Sequence, residues 1–133
     1  MRTWPVVAAM LVTLARSATW AAEEQPVSFQ KDIVPVLVKR CTSCHLTGDE
    51  AGNLAFNPPT AFASIVNRPS GEVPKMKLVK PGSPEESYFL LKIQGKHFDK
   101  GGFGSRMPFG SMPLDQAMED RIAQWIRSGA PNN

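Results

Sequence analysis

The stretch Cys41-Thr42-Ser43-Cys44-His45 contains the only two cysteines of the 133-residue chain and one of its two histidines. A CxxCH sequence is the attachment signature of c-type haem. Two thiols three positions apart on a tight turn can each add to one haem vinyl group, and the next residue then places an imidazole beneath the iron. The motif predicts one haem c, bound covalently through two thioethers at Cys41 and Cys44, with His45 as an axial iron ligand.

Three other roles for the cysteine pair stay open. A disulfide between Cys41 and Cys44 would close a very small loop and constrain the unfolded chain little. A thioredoxin-type redox pair also uses C-x-x-C, but it accompanies a βαβ pattern that the sequence does not show. A zinc site needs four ligands, so it would have to add both His45 and His97. The motif favours haem over all three.

The first 22 residues have the layout of a secretory signal peptide. An early charge at Arg2 is followed by an apolar run from Pro5 to Ala15 and by small residues ahead of Glu23. The run is shorter than the roughly 20 residues of a membrane-spanning helix. We therefore predict a signal peptide over 1–22, a single domain over 23–133, a location in the periplasm and no stable membrane anchor.

The charge balance gives no indication of a nucleic-acid partner. Arg2 and Arg16 belong to the leader, so the 15 basic and 12 acidic residues of the chain become 13 and 12 in residues 23–133. Two haem propionates would make the sum slightly negative. The 12 prolines and 10 glycines favour turns and loops. A haem would supply apolar core that so small a domain otherwise lacks.

The first predicted helix leads directly into the cysteine motif. Its apolar residues recur at helical spacing, and Ser28 is placed to cap it, with Arg40 as its last residue. Pro35 removes one backbone hydrogen bond, so we expect a bend or a late start near Asp32.

Two further helices and one short turn are predicted after the motif. The sequence Ser83-Pro84-Glu85-Glu86 favours a helix start, with Gly95 at the helix end and Tyr88 and Leu91 on the buried side. The last helix, over about 115–127, has the clearest periodicity. A short helical turn is expected near 60–66, and no stretch alternates long enough to predict a strand. The fold class is therefore all-α, with about three to five short helices and long loops around the haem.

The residues around the motif resemble the small bacterial monohaem cytochromes c. The lead into CxxCH has the form F-x-x-D-I-x-P-x-L, which here runs from Phe29 to Leu37. Two further stretches are similar, LVKPGSPEESYFLLKI over 78–93 and RMPFGSMPLDQAMEDRIAQWIRSGAP over 106–131. The resemblance implies a cytochrome c-like fold, in which the first helix crosses the last and Phe29 packs near Trp125.

The resemblance also implies a distal ligand. In that family the R-M-P element supplies a methionine thioether to the iron, and the matching residue is Met107. Met112 stands in a similar setting, Ser111-Met112-Pro113, and His97 lies ten residues earlier, so both stay open as alternatives. We expect His97 to be a surface or haem-edge residue, and a backbone carbonyl of Asn57-Pro58-Pro59 to accept from the second ring nitrogen of His45.

These residues predict an electron carrier rather than an enzyme. With both axial positions filled, the iron binds no substrate, and a thioether ligand raises the reduction potential. The expected partners are redox proteins, for a chain acting as a monomer. The alternative is a haem enzyme subunit or a gas-binding haem protein with an open distal site. A set of lysines is expected either to form a basic rim for an acidic partner or simply to be solvated: Lys75, Lys77, Lys80, Lys92, Lys96 and Lys100.

Overall fold

The structure is a computed structural model that describes Met1 and residues 25–133. Its four α-helices are α1 (Val34–Arg40), α2 (Pro58–Ile65), α3 (Tyr88–Gln94) and α4 (Gln116–Arg127). The described residues form isolated β-bridges and no strand, so the all-α prediction is confirmed. None of their helices is long and apolar enough to cross a bilayer. The leader predicted over 1–22 lies, after Met1, outside the described residues.

The first helical segment starts at its predicted cap. The Ser28 hydroxyl accepts from the amide of Lys31 at 3.2 Å, and the Ser28 amide donates to Asp32 at 2.7 Å. A π-helical turn, Phe29–Ile33, comes first, and α1 begins immediately before Pro35. Proline is tolerated in the first turn of an α-helix because its missing amide would have no partner there. Of the bend or late start predicted near Asp32, the structure shows a helical segment that begins at Phe29 and changes from π-helical to α-helical geometry at Val34.

Three helical elements meet at the ring of Phe29, which is fully buried. Its centroid lies 5.1 Å from that of Trp125 in α4 and 5.2 Å from that of Phe62 in α2. The predicted contact between Phe29 and Trp125 is confirmed. The Trp125 indole also donates to the Pro131 carbonyl at 3.0 Å, so the core holds the segment that follows α4.

The prediction for the start of α3 is wrong. Residues Pro84–Glu86 form only a 3₁₀ turn, the Ser83 side chain does not cap it, and the helix begins at Tyr88. The break is at Ser87, whose hydroxyl accepts from the Lys80 amide at 2.9 Å and donates to the Ser83 carbonyl at 2.8 Å. Such local side-chain bonds compete with helix formation. Gly95 ends α3 in a left-handed conformation, as predicted.

The last helix agrees closely with its prediction. Asp115 is the N-cap of α4, and its carboxylate accepts from the Met118 amide at 2.8 Å. Ile122, Trp125 and Ile126 are buried, and Gly129 follows with φ +100°. Between α2 and α3 the chain has no regular element apart from the 3₁₀ turn. The short turn predicted near 60–66 is the longer helix α2.

Candidate functional site

The cysteine motif lies on one tight turn at the end of α1. The Cys41 carbonyl accepts from the Cys44 amide at 3.1 Å and from the His45 amide at 3.0 Å. The Thr42 hydroxyl donates to the Val38 carbonyl at 2.6 Å, which continues the helical path for one more turn. Both cysteines are free thiols, Cys41 half-buried and Cys44 exposed. One backbone turn therefore carries the two thiols and the imidazole, as the motif predicts.

The environment of Cys41 bears on the thiol-redox alternative. Burial raises the pKa of the Cys41 thiol to about 11, which outweighs the opposing effect of the neighbouring Arg40. Thiol–disulfide exchange requires a thiolate, which redox-active pairs obtain by lowering the cysteine pKa. A thiol that stays protonated at neutral pH is poorly suited to such a reaction.

The imidazole of His45 has two different nitrogens. Its ring packs edge-on against Phe56, with centroids 5.7 Å apart, and Nδ1 is buried without a hydrogen-bond partner. Because Nδ1 is the enclosed nitrogen, Nε2 is the one available to a metal. The expected carbonyl from the 57–59 loop does not bond the ring. Residues 56 and 57 instead bond the main chain after the motif, since the Phe56 amide donates to the His45 carbonyl at 2.9 Å and Asn57 Nδ2 donates to the Leu46 carbonyl at 2.8 Å.

Met107 lies in a loop that is attached to two helices. Its amide donates to the Lys92 carbonyl of α3 at 3.1 Å, and its side chain is half-buried. The preceding Arg106 donates from Nε to the Ile93 carbonyl at 2.5 Å and from Nη2 to Glu119 of α4 at 2.7 Å. The Met107 amide and the residue before it are thus bonded to α3 and α4 before any ligand is considered.

The segments of His45 and Met107 both lie against α3. His45 packs on Phe56, and Phe56 in turn packs edge-on against Phe89 of α3, with centroids 6.0 Å apart. Met107 bonds the same helix one turn later, at Lys92. Of the two residues predicted as axial ligands, Met107 is thus bonded directly to α3 and His45 is linked to it through Phe56.

Met112 lies farther along the same loop and is much more exposed, with 82% of its surface accessible. Its carbonyl accepts from the guanidinium of Arg40, the last residue of α1. Arg40 also lies 3.5 Å from the Ser111 hydroxyl. Sequence reasoning did not find this role of Arg40, although the residue directly precedes Cys41. The contact brings the far end of the loop over 101–114, which carries Met107 and Met112 and is here called the methionine loop, to the residue that precedes Cys41.

Of the two positions expected for His97, at the surface or at the haem edge, the surface position is wrong. The side chain is completely buried, and its Nε2 lies 3.1 Å from the Gly104 carbonyl oxygen, within hydrogen-bond distance. Its ring packs on that of Phe98, with centroids 4.1 Å apart. An imidazole held in this way is poorly placed to be the distal ligand. Within residues 25–133, no group of three or more His, Cys, Asp or Glu side chains converges as a metal site would require, which removes support for zinc.

A buried ionic cluster beside the methionine loop was missed by sequence reasoning. Lys92, expected on a basic rim, is 8% exposed and donates to both carboxylate oxygens of Glu72, at 2.7 and 2.8 Å. The Tyr88 hydroxyl donates to Glu72 at 2.5 Å. Burial raises the pKa of the Glu72 carboxyl, but the hydrogen bonds from Lys92 and Tyr88 lower it by more. The pKa therefore lies below its usual value. The position of Lys92 between the apolar Leu91 and Ile93 was the available signal.

The site residues fit a covalently attached haem in their chemistry. Two free thiols and an imidazole share one turn, and a thioether follows in a fixed loop. A haem held there would use Cys41 and Cys44 for attachment. No family model, curated protein or solved structure matches this chain.

Proposed function

We propose that this chain is a monohaem c-type cytochrome that carries electrons in the periplasm. The observation that carries the proposal is the turn on which Cys41, Cys44 and His45 lie, with both thiols free and one imidazole nitrogen enclosed. When bound, haem supplies the one-electron couple of its iron. The chain's own contributions are two attachment thiols, the His45 imidazole and the loop that carries Met107.

Met107 is the proposed distal ligand, in preference to Met112 and His97. Ordering a flexible side chain at a metal costs conformational entropy, so a residue whose backbone is already fixed is the better ligand. The amide of Met107 is bonded to α3, whereas Met112 is 82% exposed and is held by its carbonyl. His97 is buried with Nε2 against a backbone carbonyl. A thioether favours ferrous iron and so raises the potential.

Exposed apolar side chains in the segments that carry the site residues support a large apolar cofactor. Several of the exposed large hydrophobic side chains in the described residues belong to one segment: Phe98, Phe103, Phe109 and Met112. Leu46, which follows the histidine of the motif, is also exposed. Covering such surface with an apolar macrocycle is favourable because it removes the surface from water.

The periplasmic location and the redox partners rest on the sequence. The leader-like residues 1–22 favour export, and the resemblance to small bacterial monohaem cytochromes c favours electron transfer between proteins rather than catalysis. The alternative, a haem enzyme subunit or gas-binding protein, requires an open iron position. The anchored Met107 loop gives that alternative no support.

Covalent haem attachment is the test of this proposal. The chain should be produced in a host that matures c-type haem, and its mass and its colour after acid–acetone extraction should be measured. We expect one haem per chain that survives extraction in the wild type and in the control Ser43→Ala. The double variant Cys41→Ser, Cys44→Ser should retain none. A colourless wild type, or one whose haem is extracted, would contradict the proposal.

A further inference from the structure

The carboxylate of Glu72 joins three segments that are distant in sequence. It accepts from Lys92 Nζ of α3, from the Tyr88 hydroxyl one turn earlier, and from the Phe103 amide at 3.2 Å. Only 10% of the Lys92 side-chain surface and 27% of the Glu72 side-chain surface is accessible to solvent. Ion pairs shielded from water are screened less by salt than exposed pairs. Removing one partner leaves a partly buried charge uncompensated.

Lys92 holds the methionine loop at two places. Its ammonium donates to the Phe103 carbonyl at 2.5 Å, and its own carbonyl accepts from the Met107 amide at 3.1 Å. Phe103 is therefore fixed on both sides, through its amide by Glu72 and through its carbonyl by Lys92. Lys92 of α3 therefore bonds the loop at Phe103 through its ammonium group and at Met107, the proposed thioether ligand, through its carbonyl.

Phe103 itself has 63% of its surface exposed, so its ring is not what anchors the loop. The anchors are the polar contacts of its main chain with the Glu72–Lys92 pair. The next contact along the loop is that between the Gly104 carbonyl and His97 Nε2, at 3.1 Å. Because the ring of Phe103 contributes little packing, Phe103 itself is held by the ion pair, between the His97 contacts of Gly102 and Gly104 on either side of it.

We propose that Glu72 and Lys92 are positioning residues for Met107, and that they determine how firmly its thioether is held at the iron. The inference rests on the proposed function, with His45 and Met107 as axial ligands. Neither residue touches the ligand sulfur. Their side chains act by fixing the backbone at Phe103, four residues before Met107, so that less of the loop has to be ordered when the thioether binds. Without the pair, a ligand from solution competes more successfully for the same iron position.

A merely structural ion pair makes a different prediction. Its loss would lower the unfolding temperature without changing competition at the iron. The chain offers a matched control at its other side, where Arg121 of α4 donates to Asp32 at 2.8 Å, with side-chain exposures of 39% and 23%. Asp32→Ala breaks an ion pair of similar length whose carboxylate makes no hydrogen bond to residues 101–114.

The experiment uses the haem-loaded, full chain and adds imidazole to the ferric protein. Displacement of the thioether is followed by loss of the weak far-red band of methionine-ligated ferric haem, and the unfolding temperature is measured in parallel. Glu72→Ala should bind imidazole at least about tenfold more tightly than the wild type, since hydrogen bonds to charged groups are worth about 1.5–3 kcal/mol. Glu72→Gln keeps an acceptor oxygen, so its imidazole affinity should lie between those of the wild type and Glu72→Ala. Asp32→Ala should lower the unfolding temperature and leave imidazole affinity unchanged.

The outcomes separate this inference from the function on which it rests. A wild type that holds covalent haem but lacks the far-red band overturns the Met107 ligation and the inference with it. A wild type with the band, whose Glu72 variants bind imidazole no more tightly than Asp32→Ala, overturns the inference alone. If Glu72→Ala yields no haem-loaded protein, Tyr88→Phe provides the test, since it removes one bond to the carboxylate and leaves Lys92 paired. We expect about a threefold gain in imidazole affinity for that variant, and no gain would overturn the inference.

Discussion

Gly102 occupies a position in which the loop passes directly over a tyrosine side chain. A Cβ atom built there would lie 2.1 Å from Tyr88 Oη and 2.9 Å from the carbonyl oxygen of His97. Non-bonded contacts settle at about 3.5 Å, so Gly102→Ala must displace the hydroxyl or the loop by more than about 1 Å. We predict that this single methyl group destabilises the protein.

The magnitude follows from the bonds that must give way. The Tyr88 hydroxyl donates to the Glu72 carboxylate at 2.5 Å, and a hydrogen bond to a charged group is worth about 1.5–3 kcal/mol. If the loop moves instead, the bond from the Gly102 amide to the His97 carbonyl, 2.9 Å long, is strained, at about 1 kcal/mol. Depending on which bond gives way, the expected loss is about 1–3 kcal/mol in the free energy of unfolding.

Urea denaturation of the haem-loaded protein, followed by far-ultraviolet circular dichroism, measures this loss. Gly71→Ala is the matched control, because nothing lies within 4 Å of its Cβ position and it is exposed. Its unfolding free energy should change by less than about 0.5 kcal/mol. Combining Gly102→Ala with Tyr88→Phe removes the oxygen that the methyl group meets, so the two losses should fall short of additivity by about 1–2 kcal/mol.

Two results would refute this reasoning. One is a Gly102→Ala protein that unfolds at the same urea concentration as Gly71→Ala. The other is strict additivity between Gly102→Ala and Tyr88→Phe, which would mean that the methyl group does not act through the tyrosine hydroxyl.

Two further predictions concern the core and the first helix. Trp125→Phe should lower the unfolding free energy by about 2–3 kcal/mol in the same urea assay. The substitution removes the indole bond to Pro131 and leaves a void beside Phe29. A loss below about 0.5 kcal/mol would contradict the packing of Trp125 against Phe29. The bonds from the Ser28 amide and from Arg121 lower the pKa of the Asp32 carboxyl, so its stabilising effect is present above the ordinary pKa of about 4 and is lost as the pH falls through the lowered value. Thermal unfolding of the wild type and Asp32→Asn should therefore differ at neutral pH and converge in acid, and a constant difference would oppose this.

Local signals in the sequence were sufficient for most helix ends. Ser28 and Asp115 cap their helices through side-chain bonds to backbone amides, and Gly95 ends α3 with positive φ. Such interactions involve residues a few positions apart, so the sequence contains both partners. The exception is Ser87, whose hydroxyl bonds the Lys80 amide and breaks the helix predicted from Ser83.

The errors at His97 and Lys92 have a common physical cause. Both are polar residues whose burial depends on partners brought by the fold rather than by neighbouring positions. Lys92 is neutralised by Glu72, twenty residues earlier, and His97 is covered by the loop that returns at Gly102 and Gly104. The burial of a charged or polar side chain requires such a partner, and sequence periodicity does not identify one at that separation.

In the candidate site, too, the local structure was predicted from the sequence and the long-range contact was not. The turn that holds Cys41, Cys44 and His45 is a local structure, and its hydrogen bonds follow the sequence prediction. The contact of Arg40 with the Met112 carbonyl joins segments some seventy residues apart and was not foreseen. Predicting it requires knowing how the methionine loop returns to the end of α1.

The central claim, a haem held by His45 and Met107, is tested most directly by the absorption spectrum of the oxidised protein produced with covalent haem. The wild type and Met112→Ala should both show the weak far-red band of methionine-ligated ferric haem, and Met107→Ala should lack it. The reduced wild type should bind carbon monoxide poorly, because the thioether occupies the distal position. A high-spin oxidised wild type, or ready binding of carbon monoxide by its reduced form, would show an open iron position and contradict the proposed electron carrier.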